Sequence, residues 1–361
     1  MNSQPRLGQT SKGGDREGAM RAITAGGTGR DIGRALGEEA RRAVRERVFE
    51  SRAYMELRRW QGSERLMAII AASQRACPDY LDEMAGIAEG VAAPLADIFL
   101  WNCRGDLPPP GVDPEGCTSV MMPPDGAHPG IVAHNEDGGA NLAGSCFMAR
   151  IEPDAGLGFD TFCYPGMLPG HSFAMNDAGL VQTINNISPH DLTTGIARHV
   201  VSRAILACRS LEEAMAWLRR GDRASGFHHT LGSAAEDRLI SVEAPASGCA
   251  ARPVTAPRAH ANHLIFSEFA ELPQTQSPST AARQARAEAL LPELDDPLGI
   301  LFDRADEDLP VLCRGEVASG LSYTLATALF RLTAAGVSLE VFHGPSREPV
   351  FTAATELASA S

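Results

Sequence analysis

In the run Pro114-Glu115-Gly116-Cys117-Thr118-Ser119-Val120-Met121-Met122, a thiol opens an apolar, strand-like segment straight out of the proline-rich loop DLPPPGVDPEG. Gly116 offers that thiol an unhindered carbonyl on a permissive backbone, and Pro114 with the prolines upstream restricts the loop. Addition of the Cys117 sulfur to the Gly116 carbonyl would turn the peptide into a thioester that water can cleave. The product is a new N-terminal cysteine. Such a residue carries its own base, because an α-amino group titrates at about 7.7–8.0, near working pH and next to the thiol it must activate.

Other residue groups suggest rival chemistry. The stretch AGGTGRDIGRALGEE imitates a dinucleotide-binding glycine loop. A true site needs a strand, a helix and a second strand that ends in an acidic residue about 20 positions on. Here helix is followed by more helix, so the glycines read as letting a helix start and pack closely. His228 and His229 stand together, His260 and His263 form HANH, and His134 lies in HNED. Zinc would ask for a helical HExxH or a cysteine pair, and on a strand the two ends of H-x-x-H point to opposite faces. No metal is expected. The eight cysteines (77, 103, 117, 146, 163, 208, 249, 313) form no CxxC pair, which suits neither a disulfide framework nor a zinc ribbon. Apart from Cys117 they read as small buried hydrophobes.

Composition narrows the field further. A net charge of -13 argues against a nucleic-acid partner, since phosphates are neutralised by Lys and Arg. It hints at neutral or cationic substrates. Lys12 is the only lysine, which leaves Schiff-base, pyridoxal-phosphate and P-loop mechanisms without a residue, and no cofactor is called for. The first residues lack the apolar core of a signal peptide and no later run is long enough to span a bilayer, so a cytoplasmic protein without a membrane partner is expected.

The elements that must position Cys117 are legible as patterns. Residues 1–20 read as a flexible tail. From Asp31 onward Ile32, Leu36, Ala40, Val44 and Val48 recur at helical spacing among Arg and Glu. Further helical runs hold Leu66, Ile69, Ile70 and Cys77, then Leu81, Met84 and Ile87 after Pro78, then Ile98 to Leu100. Residues 21–116 are thus expected to be a mostly helical pre-segment. After Cys117 the period becomes strand-like: CTSVMM, GIVAHNED, CFMARIEP, FDTFCYP, SFAMND and LVQTINNI, punctuated by Gly, Pro and Asp. A helix pair follows, with Ser210 as N-cap of the second and Gly221 as its stop. Then come strands in FHHTLGSA, RLISVEAP, GCAARPV and RAHANHLI, helices around Ala281 to Leu291 and Leu298 to Arg304, and a closing β-meander. Short turns between strands imply antiparallel pairing, and blocks of helices imply layers outside the sheets.

Taken together these motifs resemble the N-terminal-nucleophile (Ntn) acyltransferases and amidases typified by acyl-coenzyme A:6-aminopenicillanic acid acyltransferase, and more distantly the penicillin V acylases and bile salt hydrolases. CPDYLDEMAGIAEGVAAPLADIFLWNCRGDL is similar to the family's helical pre-segment, with Asn102 and Arg104 as its Asn-x-Arg. Gly116-Cys117-Thr118 matches the self-cleavage site, HNED the Asn-x-Asp element (Asn135, Asp137), MNDAGLVQTINN the Asn-x-x-Gly hairpin that includes Asn185, and HANH the element that carries Asn262. The resemblance implies an α+β fold, a four-layer αββα sandwich of two antiparallel sheets between helical layers. It implies that Asp137 orients the new amine and that Asn262 donates to the oxyanion. Arg104, Thr118, His134, Asn135 and Asn185 are supporting candidates. Some relatives place an arginine just before the threonine that is Thr324 here, whereas this chain has Leu321, Ser322 and Tyr323.

The expected protein is therefore cut between Gly116 and Cys117 into a pre-segment and a catalytic chain of residues 117–361, which stay associated as one integrated domain. Its expected activity is hydrolysis of a linear N-acyl amide, a small molecule, through a Cys117 thioester. The alternatives are an acyl-coenzyme A-dependent N-acyltransferase on the same scaffold and a noncatalytic binding protein that is never cut.

Overall fold

Thr28 starts the first helix: its side chain accepts from Asp31 N while Asp31 reaches back to the Thr28 backbone. The computed structural model describes residues 20–108, 116–313 and 322–357, so the expected tail lies almost wholly outside the described residues. Helix α1 (Gly29–Ala43) runs into a π-helical turn, and α2 (Arg52–Leu57), α3 (Glu64–Ala76), α4 (Pro78–Val91) and α5 (Leu95–Asn102) follow. Ile32, Leu36, Ala40, Val44 and Val48 are all buried, as their spacing predicts.

Glycines let α1 and α4 touch backbone to backbone. A Cβ on Gly33 would stand 1.9 Å from Glu83 O, and one on Gly86 would stand 2.1 Å from Arg30 O. Close packing is thus their role here. Beside these helices, residues before α1 form a strand, β1 (Ala22–Gly27), which pairs in parallel with the strand Phe147–Pro153 where antiparallel pairing was expected.

The strands from Cys117 onward are β2 (Cys117–Met122), β3 (Gly130–Gly139), β4 (Phe147–Pro153), β5 (Phe159–Cys163), β6 (Phe173–Asn176) and β7 (Leu180–Asn186). Helices α6 (Arg198–Ile205) and α7 (Leu211–Leu218) come next, the latter capped by Ser210, which accepts from Glu213 N. They lead to β8 (Phe227–Ser233), β9 (Arg238–Glu243), β10 (Ala250–Pro253), β11 (Arg258–His260), α8 (Pro278–Leu290), α9 (Pro297–Leu301), β12 (Ser322–Thr333), β13 (Gly336–Phe342) and β14 (Phe351–Glu356).

Two sheets result, ordered β1-β4-β5-β6-β7-β8-β9-β10 and β11-β2-β3-β12-β13-β14. They face each other, with β2 and β3 against β7 and β8. Helix α1 lies on β1 and β4 and α7 on β8, while α8 and α9 cover β11, β2 and β3 from the opposite side. The architecture is the αββα sandwich expected. Strand alternation divides its core: Met121 and Val132 join the large cluster between the sheets, whereas Val120 and Ala133 pack with Ala287, Leu290 and Ile300 under α8 and α9. No described helix is long and apolar enough to cross a membrane.

Candidate active site

Cys117 is the first residue of β2 and is buried. Antiparallel register sets it opposite Glu136 of β3, with Thr118 opposite Asn135 and Ser119 opposite His134. Because side chains alternate along a strand, these residues fall on two faces. Cys117, Ser119, His134 and Glu136 look into the gap between the sheets, where Tyr164, Ser172, Thr183 and Asn185 meet them. Thr118, Asn135 and Asp137 look the other way, toward α8, α9 and β12.

On the inner face the Cys117 Sγ approaches Glu136 Oε2 at 3.8 Å. Ser172 Oγ donates to the same oxygen at 2.6 Å, Tyr164 OH donates to Oε1 at 2.6 Å, and His134 Nε2 lies 3.0 Å from Oε2. Burial by itself would raise the Glu136 pKa, but the hydrogen bond and charge of His134, with Ser172 and Tyr164, outweigh it and hold the carboxyl below its usual range. Asn185 fixes the direction of the chain behind it. Its Nδ2 donates to His260 O at 3.0 Å, so its Oδ1 must accept from Ser119 Oγ at 2.7 Å. Ser119 has spent its proton, and therefore accepts from His134 Nδ1 at 2.9 Å. The contact between His134 Nε2 and Glu136 then needs a proton of its own.

The outer face carries the second carboxylate. Asp137 Oδ1 accepts from Thr324 Oγ1 at 2.6 Å, and Oδ2 is buried with no hydrogen-bond partner. Burial, aided by the neighbouring Glu136, lifts Asp137 to about 6 against the pull of Arg283 and Thr324. Asn135 donates to Leu301 O at 2.7 Å and accepts from Thr327 Oγ1 at 2.7 Å, which ties β3 to α9 and β12.

The Gly116–Cys117 peptide is held at both its polar atoms, and the carbonyl that follows it is held as well. Asp137 N donates to Gly116 O at 2.9 Å, Cys117 N donates to Asn262 Oδ1 at 2.7 Å, and Arg283 Nη1 donates to Cys117 O. The Arg283 fork also reaches Thr118 Oγ1 at 2.9 Å and Asn262 Oδ1 at 2.7 Å. Burial pushes the Cys117 thiol well above its usual range, and Glu136 and Asp137 add to this while Arg283 opposes it.

Sequence reasoning did not single out Arg283 or Glu136. Arg283 supplies a guanidinium from α8, where the sequence offers none beside Thr324. Its signal is its place on the buried stripe Thr280, Arg283, Gln284, Ala287 and Leu290. Glu243 was missed too: it accepts from His260 Nε2 at 2.9 Å, Ile265 N at 2.6 Å and Phe266 N at 3.2 Å, and so anchors the loop that bears Asn262. Arg104 is brought behind the site, its guanidinium 4.3 Å from the Trp101 ring and 5.4 Å from that of Tyr164.

One expectation needs correction. The strand in RAHANHLI ends at His260, so opposite strand faces do not explain why His260 and His263 diverge. They diverge because His260 bonds Glu243 while His263 Nδ1 meets Thr280 Oγ1 at 3.1 Å. In the uncut chain Asn262 turns its oxygen to Cys117 N and gives its amide to Asn186 O at 2.9 Å. As for metal, ligand atoms of Cys117, His134 and Glu136 lie within 4.8 Å of one another. The nitrogen and carboxylate hydrogen-bond each other at 3.0 Å. The cluster as it stands is a hydrogen-bonded triad.

A beta-alanyl-dopamine/carcinine hydrolase of Drosophila melanogaster is 29% identical over 160 residues, which is 39% of this chain. The chain spans 41% of that curated relative's length. Two mutant forms of the conjugated bile acid hydrolase of Clostridium perfringens superpose with TM-scores of 0.40 and 0.41 at 10% and 11% identity, covering 67% and 66% of this chain and 92% of each of theirs. The family model of acyl-coenzyme A:6-aminopenicillanic acid acyl-transferase matches residues 121–346, beginning just past Cys117 and taking in β3, Asn262 and α8. A match over more than half of the 361 residues settles kinship: the chain belongs to the acyl-coenzyme A:6-aminopenicillanic acid acyl-transferase family.

Proposed function

We propose that the chain cuts its own Gly116–Cys117 peptide and then hydrolyses a linear N-acyl amide through a thioester on Cys117. The observation that carries this reading is the grip on both polar atoms of that peptide by Asp137 N and Asn262 Oδ1, with Arg283 holding Asn262 and the Cys117 carbonyl beside it, groups from three separate parts of the chain. Such convergence on a backbone bond immediately before a cysteine fits a reacting bond better than a structural turn.

After the cut the Cys117 α-amine takes the thiol proton, and the Sγ attacks the substrate carbonyl. The amine leaves, and water releases the acid. Asn262 Oδ1, already an acceptor for Cys117 N, orients the new amine, and the unpartnered Oδ2 of Asp137 offers it a negative charge. For Asn262 to donate to the oxyanion, its side chain must turn away from Asn186 once Gly116 has left.

The two pieces are expected to stay together. β1 is hydrogen-bonded into the eight-stranded sheet, Asn102 bonds Gly166 O at 2.9 Å and Leu168 N at 2.7 Å, and Glu83 pairs with Arg203 inside the protein.

Hydrolysis is favoured over transfer because water is always present, while transfer needs an acceptor site and a shielded thioester. The Drosophila melanogaster relative is named as a hydrolase. The family description supports the transferase alternative. Intact-mass measurement of freshly made protein tests the cut: two fragments meeting at Cys117 are expected, and Cys117→Ala should stay whole. A chain that stays whole and is inert would fit a binding protein. Incubation of cut protein with N-acyl amines, β-alanyl-dopamine and carcinine among them, with and without acceptor amines, should yield free acid. New acyl-amide at the expense of acid would favour transfer.

A further inference from the structure

We propose that Glu136 is the proton acceptor for the Cys117 thiol in the uncut chain, a proposal that rests on the self-cleaving reading above. The α-amine that serves the mature enzyme does not yet exist at that stage. Cys117 N is an amide nitrogen whose hydrogen already goes to Asn262 Oδ1 at 2.7 Å. Self-cleavage therefore needs a different base.

Strand geometry nominates it. Cys117 and Glu136 are direct cross-strand partners on the inner face of β2 and β3, with Sγ 3.8 Å from Oε2. Asp137, one residue on, projects from the opposite face, where Thr324 holds it. Tyr164 and Ser172 fix the Glu136 carboxylate at both oxygens, and His134 backs it through the proton shared with Oε2. His134 is a positioning residue, itself aimed by Ser119. Moving the thiol proton onto Glu136 as Sγ attacks shifts the negative charge from the carboxylate to the Gly116 oxygen, so the net charge of the buried site stays the same.

The step balances as follows. The proton of Sγ passes to Glu136 Oε2 as Sγ bonds to the Gly116 carbonyl carbon. The Gly116 oxygen becomes an oxyanion that Asp137 N, 2.9 Å away, stabilises. The carbon–nitrogen bond then breaks, the Cys117 nitrogen takes the proton from Glu136, and Gly116 is left as a thioester on Sγ. Water hydrolyses that thioester, placing hydroxyl on the Gly116 carbon and a proton on sulfur. Glu136 ends as it began.

The test uses the full chain made by cell-free synthesis, arrested at set times and read by intact mass. Wild type should be cut at Cys117, and Glu136→Gln should be cut slower by about 100-fold or more, the usual scale for loss of a general base. Thermal unfolding of E136Q should match that of the uncut C117A chain. Added formate or acetate should restore cleavage to Glu136→Ala in a concentration-dependent way, which a purely structural role would not produce. Cleavage of E136Q at the wild-type rate, or an E136A chain that formate and acetate do not rescue, overturns the proposal and leaves the function reading standing. A wild-type chain that never cuts overturns both.

Discussion

Arg283 and Asn262 meet at 2.7 Å, guanidinium to amide oxygen, so one helix residue decides which end of the asparagine faces Cys117. The same fork holds Cys117 O and Thr118 Oγ1. Lysine cannot reproduce three directed donor contacts from a planar group. Arg283→Lys and Arg283→Ala should therefore both leave the chain uncut by intact mass. Arg283→Ala should also lower stability by about 2–3 kcal/mol, the scale of buried hydrogen bonds to a charged group, in urea unfolding against the C117A chain.

Gly116 matters for space. A Cβ there would lie 2.6 Å from Arg283 Nη2 and 3.5 Å from Asn262 Oδ1. Gly116→Ala should push the guanidinium off Cys117 O and slow self-cleavage at least tenfold, with thermal stability little changed. Cleavage of G116A at the wild-type rate would show that Arg283 does not limit the step.

The acidity of Asp137 predicts a pH dependence. Its carboxyl is raised to about 6 in the fold from an ordinary value of 3.8, so the protonated form is favoured by folding. The associated stability is fully present below the unfolded value and is lost as pH rises through about 6. In the uncut C117A background, Asp137→Asn supplies an amide where Oδ2 has no partner. It should raise stability at pH 8 by about 1–3 kcal/mol and flatten the loss between pH 4 and pH 6, measured by urea unfolding across pH.

Glu243 acts on Asn262 at one remove. It holds Ile265 N and Phe266 N as well as His260. Glu243→Gln should speed hydrogen exchange at those two amides and slow amide hydrolysis by the cut enzyme, while far-UV circular dichroism stays the same. Unchanged exchange would mean that the loop is held by Thr280, Gln284 and Gln274 alone.

Where the sequence misled, the cause is local and physical. β1 has the residues AITAGG, of which Ala25 alone is buried; its exposure alternates, but its small residues carry no apolar and polar contrast that would mark a strand. β11 stops at His260 although apolar residues continue, because side chains take over the amides that a ladder would use: Gln284 for Ala261, Thr280 for Asn262, Gln274 for Leu264 and Glu243 for Ile265. By contrast β2 to β7 were legible because runs of apolar residues are set off between them by Gly, Pro or Asp. Cys117, the backbone amide of Asp137 and the Asn262 side chain lie together. Arg283, 166 positions beyond Cys117, could be found only by noticing a cation on a buried helical stripe.

The parallel ribbon that β1 forms with β4 has a consequence for the life of the molecule. A continuous chain closes that ribbon as a loop within itself, at a cost that grows only slowly with loop length. Severed after Gly116, the same ribbon can re-form only when two separate polypeptides find each other, which makes renaturation second-order and dependent on dilution. The cut product would then persist through slow unfolding and not through ready refolding, and assembly would in effect happen once per molecule.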